Sequence, residues 1–304
     1  MEPFEIQILG CGSALPTTRH NASSQVVRIG NRWLMIDCGE GTQQQLRKQH
    51  ISFSQISSVF ISHLHGDHCF GLIGMISSFA LLGRTAPLHI FADKLLRQIM
   101  KPQLDFFCKG ISYELIFHDI DATTHSIIYE DNVITVETIP QEHRLPCCGF
   151  IIREKPKKRH IIGEMMEYYK VPEYLRKGLK EGNDFITPDG ITIPNNRLTR
   201  EADPSRSYAY CSDTLPCPQN IKYLKGVDLL YHEATFAESE KVRAKETYHT
   251  TARQAAELAQ EANVKQLVIG HFSSRYTNDD MLLKEAKEIF PATEKADENR
   301  IFKI

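Results

Sequence analysis

Short apolar runs alternate with polar, glycine-punctuated turns along most of the chain. Phe4 to Leu9 is apolar-rich and reads as a strand that ends in the tight turn Gly10-Cys11-Gly12-Ser13. Ser23 to Ile29 and Trp33 to Ile36 form the two arms of a hairpin around Gly30-Asn31. Asp37-Cys38-Gly39-Glu40-Gly41 is another turn, and Thr42 to His50 reads as a helix. Val59 to Ser62 is a buried strand, Phe70 to Leu82 a helix against a sheet, Leu88 to Phe91 a strand and Lys94 to Leu104 a helix. Ile111 to His118, Ser126 to Tyr129 and Val133 to Ile139 are rich in β-branched and aromatic residues, as strands are.

The rhythm returns later in the chain. Ser207 to Cys211, Asp228 to Tyr231 and Gln266 to Ile269 read as strands, each followed by a polar group. Thr251-Ala252-Arg253-Gln254 has capping-box spacing, and Ala252, Ala255, Ala256 and Ala259 then share one helix face. Asn278 caps a last helix carrying Leu282, Leu283, Ala286, Ile289 and Phe290, and Pro291 stops it. Two β-rich halves with helices outside predict a sandwich of two sheets with helical outer layers. Between the halves, from about Arg153 to Thr199, periodicity fades while basic, Gly and Pro residues accumulate. An inserted arm is expected there, since long excursions in compact domains are usually functional or disordered.

A length of 304 residues suits two average domains or one large one. The composition, 41% hydrophobic and 24% charged, is that of a globular protein in water. The longest apolar stretch follows Phe70 and is broken by Gly71, Gly74, Ser77 and Ser78, so no membrane span is expected. Met1-Glu2-Pro3-Phe4-Glu5 lacks the basic-then-apolar order of a signal peptide, which predicts a cytoplasmic location. The eight cysteines are scattered, apart from Cys147-Cys148, and none has C-x-x-C spacing. They are expected as small buried hydrophobes rather than as a zinc knuckle or disulfide framework. A net charge of −2 argues against nucleic-acid binding through bulk charge. Its distribution is uneven: Arg153 to Glu181 holds nine Lys or Arg against five carboxylates, a local +4 that leaves −6 elsewhere.

The chemistry concentrates in His63-Leu64-His65-Gly66-Asp67-His68, directly after a buried strand. Imidazole and carboxylate suit a borderline metal such as zinc. Alternate residues of an extended loop point the same way, so His63 and His65 can grip one ion. Asp67 and His68, past the turn at Gly66, face a second. Four ligands do not complete two sites. His143, Asp213 and His271 each follow an apolar β-run, and that shared position makes them the further candidates. Any one of them alone would read as an ordinary loop residue.

With those residues in view, the chain resembles the metallo-β-lactamase superfamily, and within it the ribonuclease Z family of tRNA 3′-processing endonucleases. Besides the histidine run, the matching pieces are Leu15-Pro16-Thr17, Asp37-Cys38-Gly39-Glu40, His232-Glu233-Ala234-Thr235-Phe236, Tyr248-His249-Thr250-Thr251 and His271-Phe272-Ser273-Ser274-Arg275-Tyr276. They span nearly the whole chain. The histidine run marks only the superfamily; the His-Glu-Ala-Thr and Tyr-His-Thr-Thr segments mark the branch. The resemblance implies an α/β, four-layer αββα sandwich of the metallo-β-lactamase fold over residues 1–304, with a protruding arm at about 153–199. It implies that His63, His65 and His143 bind one metal, that Asp67, His68 and His271 bind the other, and that Asp213 bridges them. Two departures stand out. Ser212 occupies the place where the family usually has Gly, and the arm stretch Val171-Pro172-Glu173-Tyr174-Leu175-Arg176-Lys177-Gly178 lacks the family's Gly-Pro pair.

The function so implied is removal of the 3′ trailer of precursor tRNA by phosphodiester hydrolysis, with two zinc ions per chain (manganese or another divalent metal as the alternative), in a homodimer. Asp67 would orient the attacking water. His249 would be the general acid for the leaving ribose oxygen, with Glu233 orienting it. These two assignments come from the resemblance; His249 by itself reads as a surface histidine near a helix N-cap. Arg275, four residues past His271, is either a phosphate contact or a surface cation. Lys157, Lys158, Arg159, Arg176 and Lys177 of the arm would grip the tRNA body through phosphates. The competing readings are a hydrolase of the same fold acting on a small phosphodiester, thioester or sulfate ester, and a non-catalytic metal-binding scaffold. The basic insertion and the Glu233/His249 pair weigh against the first, and the full ligand set against the second.

Overall fold

The computed structural model describes residues 2–15 and 17–304; Pro16 of the Leu15-Pro16-Thr17 piece and Met1 lie outside the described residues. The strands in chain order are β1 (Phe4–Gly10), β2 (Ser24–Ile29), β3 (Arg32–Cys38), β4 (Ile56–Phe60), β5 (Leu88–Ala92), β6 (Leu115–Asp119), β7 (Ile127–Glu130), β8 (Ile134–Gln141), β9 (Cys147–Glu154), β10 (His160–Ile161), β11 (Phe185–Ile186), β12 (Thr192–Ile193), β13 (Thr199–Arg200), β14 (Ser207–Cys211), β15 (Leu229–Glu233), β16 (Gln266–Gly270), β17 (Thr293–Lys295) and β18 (Ile301–Lys303). The helices are α1 (Thr42–Lys48), α2 (Gly66–Cys69), α3 (Leu72–Leu81), α4 (Lys94–Phe107), α5 (Gly163–Tyr168), α6 (Arg176–Lys180), α7 (Asn195–Leu198), α8 (Ile221–Leu224), α9 (Lys241–Thr247), α10 (Ala252–Glu261) and α11 (Asp280–Ile289).

Two seven-stranded sheets carry the molecule, in the orders β18-β1-β2-β3-β4-β5-β6 and β17-β16-β15-β14-β9-β8-β7. Alternation along the strands decides the layers. In the first sheet Phe4, Ile6, Ile8, Val27, Ile29, Leu34, Ile36 and Phe60 face the second sheet, where Phe150, Ile152 and Tyr208 meet them. Their neighbours Leu9, Val26, Met35, Val59 and Ile90 point the other way, onto Leu72, Met75, Ile76 and Phe79 of α3 and Leu96 and Met100 of α4. Ala252, Ala255, Ala256 and Ala259 of α10 cover the outer face of the second sheet, with Leu282 and Ala286 of α11 packed beside them. The order of layers is therefore helix, sheet, sheet, helix, the αββα arrangement the resemblance implied.

Most expected elements are present, with shifted ends. The strand expected from Ile111 begins only at Leu115; the preceding Tyr113 is buried and donates its hydroxyl to the Ile76 carbonyl at 2.8 Å. The N-cap of α11 is Asp279 rather than the expected Asn278, whose side chain, one residue earlier, accepts the Asp280 N–H at 2.8 Å. β9, a central strand of the second sheet, has no counterpart in the alternation pattern because it is buried on both faces. The chain leaves that sheet after Glu154 and returns at Ser207. The excursion between has its own small core of Met166, Val171, Leu179, Phe185, Ile193 and Leu198.

Candidate functional site

Parallel strands bring their C-terminal ends to one edge, and the candidate residues sit on those ends. β14, β15 and β16 are parallel to one another, and β8 runs in the same sense because β9 is antiparallel to both β8 and β14. His143 follows β8, Asp213 follows β14, Glu233 ends β15 and His271 follows β16. From the first sheet, β4 delivers Ser62 and His63, and the short α2 carries Asp67 and His68. Gly39 lets α2 close on β3: a Cβ there would lie 2.3 Å from the Asp67 carbonyl oxygen. Asp37 (φ 56°) and His271 (φ 60°) both hold the left-handed conformation, which non-glycine residues adopt mainly where the surroundings enforce it.

Two donor clusters result, one of His63, His65, His143 and Asp213, the other of Asp67, His68, Asp213 and His271. In the first, His65 Nδ1 lies 3.0 Å from His63 Nε2 and 3.1 Å from His143 Nε2. Asp213 Oδ2 is 3.7 Å from His63 Nε2 and 3.9 Å from His143 Nε2. In the second, Asp213 Oδ1 lies 3.5 Å from His68 Nε2 and 3.2 Å from His271 Nε2, and Asp67 Oδ2 is 3.5 Å and 3.3 Å from the same two nitrogens. Asp213 thus turns one oxygen to each cluster.

These residues fit divalent metals. His68 Nε2 and Asp213 Oδ1 are buried with no hydrogen-bond partner among the described residues, and such orphans are costly unless an ion meets them. Partners on the far side of each ring select the nitrogen that keeps its lone pair. His143 Nδ1 donates to the Tyr248 carbonyl at 2.9 Å and His68 Nδ1 to Asp37 Oδ2 at 2.7 Å. The Thr235 hydroxyl gives its single proton to Glu233 Oε2 at 2.8 Å, so it accepts from His271 Nδ1 at 2.9 Å. Burial lowers the pKa of His63, His65 and His143, leaving neutral imidazoles ready to bind. Burial opposes charge on His68 too, but Asp37, Asp213 and Asp67 push its pKa up, so ion binding there must expel a proton.

His249 stands beside both clusters. Its Nδ1 is 3.1 Å from Glu233 Oε1, and its ring stacks against His271 at 5.4 Å. Glu233 is fully buried and saturated: Oε1 accepts the Thr250 N–H at 2.8 Å and the Thr214 N–H at 3.2 Å, and Oε2 the Thr235 N–H at 2.9 Å. Burial alone would lower the pKa of His249; the Glu233 carboxylate reverses that and raises it to about 9. The Glu233 carboxylate thus favours the protonated imidazole.

Of the candidate ligands, His65, Asp67, His143, Asp213 and His271 line an open cavity of about 410 Å³. Arg275 lines it too, stacked over Phe236 at 5.3 Å and paired with Glu240 at 2.8 Å. Arg144 and Arg243, neither singled out by the sequence, join it on the same wall as Thr247 and His249. The arm cations lie elsewhere, and most are already paired: Lys157 with Glu154, Lys158 with Glu181, Arg159 with Glu201 and Arg176 with Glu173. Lys158, Arg159, Arg176 and Lys180 rim a separate cavity of about 560 Å³, while Lys177 is exposed. Asp37, Ser62, Tyr210 and Thr235 were missed as site residues. Asp37 takes the Ser62 N–H at 2.8 Å, the Ser62 hydroxyl at 2.9 Å and the Tyr210 hydroxyl at 2.7 Å besides His68. A lone Asp closing an apolar strand was the available signal.

Fold and site together define a metal-dependent hydrolase of the metallo-β-lactamase fold. The β-lactamase superfamily domain model matches residues 197–272, and the model described as anti-Pycsar protein Apyc1 matches residues 4–159. Human tRNase Z, short form, superimposes with a TM-score of 0.71 at 22% identity over 98% of each chain. The metallo-β-lactamase fold protein YhfI from Bacillus subtilis gives 0.70 at 18% identity over 100% of each. Among curated sequences, ribonuclease Z of Bacteroides fragilis is 60% identical over 98% of each chain. Ribonuclease Z of Bacteroides thetaiotaomicron is 57% identical over 100% of this chain and 96% of its own. The chain belongs to the ribonuclease Z family, whose members are hydrolytic endoribonucleases. No helix among the described residues is long and apolar enough to cross a membrane.

Proposed function

We propose that the chain removes the 3′ trailer of precursor tRNA, using two zinc ions held by His63, His65, His143 and Asp213 and by Asp67, His68, His271 and Asp213. The observation that carries this reading is the sharing of Asp213 between two donor clusters with a proton-donating His249 beside them. The substrate follows from the ribonuclease Z relatives. When bound, such a metal pair lowers the pKa of a water from 15.7 to about 7 and offsets charge on the phosphoryl oxygens.

The chain's own residues do the rest. Asp67 is held as a carboxylate by His68 and His271 against the effect of burial, and it orients the attacking water by accepting its hydrogen bond. The water attacks phosphorus in line with the ribose 3′-oxygen. His249, with Nδ1 fixed on Glu233, gives its Nε2 proton to that oxygen as the P–O bond breaks. The products are a tRNA ending in a 3′-hydroxyl and a trailer beginning with a 5′-phosphate. Arg275, and more distantly Lys157, Lys158, Arg159, Arg176 and Lys177, contact other phosphates. Incubation with 5′-labelled precursor tRNA, with and without chelator, tests the reading. One metal-dependent cut leaving a 3′-hydroxyl is expected, and failure to cut precursor tRNA with metals restored would refute it.

Two copies are proposed to pair through α3 and α4. Leu81 is 84% exposed, and it lines one groove with Phe107 of α4 and another with Leu82. Light scattering on Leu81→Glu should report a monomer and the wild type a dimer; a monomeric wild type rules the pairing out.

A further inference from the structure

Tyr248 closes α9 in the left-handed region, at φ 62° and ψ 49°. Glycine or asparagine is the usual residue there, and a bulky side chain is uncommon. The backbone has its reasons: the Tyr248 N–H reaches the Lys245 carbonyl at 3.3 Å, and its own carbonyl accepts from His143 Nδ1 at 2.9 Å. Glycine would satisfy both bonds with less strain, so the ring needs a separate explanation. Core packing does not supply one, since the residue is 37% exposed. The ring stands edge-on to His143, with centroids 6.5 Å apart. The Arg144 guanidinium lies 6.0 Å from its centroid and is tethered to the Glu246 carbonyl at 3.0 Å. Arg243, exposed and without an ion pair among the described residues, lines the cavity of the candidate site together with Arg144 and with Thr247 and His249, the two residues that flank Tyr248 in the chain.

A partly exposed aromatic ring with one guanidinium over it and a second lining the adjoining cavity suits a nucleotide: the ring takes a base by stacking, and the cations take its phosphate. In the mechanism proposed above, His249 protonates the ribose 3′-oxygen that leaves. The nucleotide owning that oxygen is the last one retained on the tRNA, and it must lie on the His249 side. We propose that Tyr248 is the stacking platform for the base of this nucleotide, with Arg144 and Arg243 holding its phosphate. The subsite rests on the proposed endonuclease reading and adds to it a base-binding position that accepts any of the four bases, because each has a π face.

The test compares precursor tRNA carrying a normal or an abasic residue immediately 5′ of the cut, in wild type, Tyr248→Gly and Tyr248→Phe. Removing the base should lower kcat/KM of the wild type and of Tyr248→Phe by roughly ten- to a hundredfold, the range for losing one stacked base. In Tyr248→Gly the abasic and normal substrates should be cut equally. An abasic residue immediately 3′ of the cut should affect all three proteins alike. A full abasic penalty persisting in Tyr248→Gly overturns the proposal, even if that variant is slower on every substrate. A wild type that cuts neither precursor overturns the endonuclease reading itself, and the subsite with it.

Discussion

Asp213 is the residue on which both donor clusters depend, because each uses a different one of its oxygens. Asp213→Ala should therefore drop metal content from about two equivalents to near none, whereas loss of an unshared ligand should affect mainly one site. Elemental analysis of metal-replete protein checks this; a variant that keeps one full equivalent would show that the clusters are independent. His249 predicts a different pattern. In the proposed mechanism it acts only on the leaving group, so His249→Ala should keep its metals and nearly unchanged KM while kcat falls by roughly 10²- to 10⁴-fold. The defect should shrink on a phosphodiester with an activated leaving group, which needs no proton, and an equal defect on both substrates would remove the general-acid role. Residue by residue, the candidate ligands that the fold brings together were legible because they are chemically unusual side chains placed just after apolar strands. The residues that aim them were not: Ser62, Thr235 and Tyr210 are common types whose importance lies in which proton they give to which oxygen, and that exists only once strands from both sheets meet.

At the scale of elements, alternation was readable wherever one face of a strand differed from the other. It failed for β9, where Cys147 to Ile152 are all buried, and for β17 and β18, three-residue strands recognisable only by their partners β16 and β1. The loop between β1 and β2 shows another contact invisible in sequence. Ser13 and Ala14 of this loop line the catalytic cavity, and His20 pins its far end, with Nδ1 2.9 Å from Glu298 Oε2 and Nε2 2.8 Å from Asp279 Oδ2. Burial works against charge on His20, but the two carboxylates raise its pKa to about 9. A folded-state pKa above the unfolded value of about 6.5 stabilises the fold fully below pH 6.5 and loses that contribution as pH rises through 9. Wild-type unfolding free energy should thus fall between pH 6.5 and 9.5, by on the order of 2 kcal/mol more than that of His20→Gln. Parallel urea titrations of the two proteins measure the difference, and equal pH slopes would mean His20 is not charged in the fold.

For the whole molecule the open question is what the excursion between β9 and β14 contributes. Residues 156–204 hold nine Lys or Arg against eight Asp or Glu, and most of the cations singled out by the sequence are paired within reach of their own segment. Lys170, Lys177, Lys180, Arg197 and Arg200 have no ion pair among the described residues, but the segment is near neutral as a whole, so its grip on an RNA should be modest in charge. Its removal must respect its core: a cut ending at Gly182 would leave Phe185, Ile193 and Leu198 without Met166, Val171 and Leu179. The natural boundary is the base, where the Ser205 hydroxyl donates to the Lys155 carbonyl at 3.0 Å, the Glu154 N–H to the Arg206 carbonyl at 2.9 Å, and Glu154 pairs with Arg206 at 2.6 Å. Deleting 156–204 and joining the ends through two glycines keeps that closure and every ligand. If the arm holds the tRNA body, KM for precursor tRNA should rise by roughly one to two powers of ten with kcat changed little, since the binding removed is common to ground and transition states. The slope of log affinity against log salt should shrink by about one to two, one for each phosphate that the arm no longer holds. A small activated phosphodiester never reaches the arm, so its hydrolysis should be unaffected, and equal loss on both substrates would mean that the core was damaged. An unchanged KM with an unchanged salt slope would mean that the internal ion pairs serve only to fold the arm, and tRNA recognition would then fall to the arginine-lined wall of the catalytic cavity.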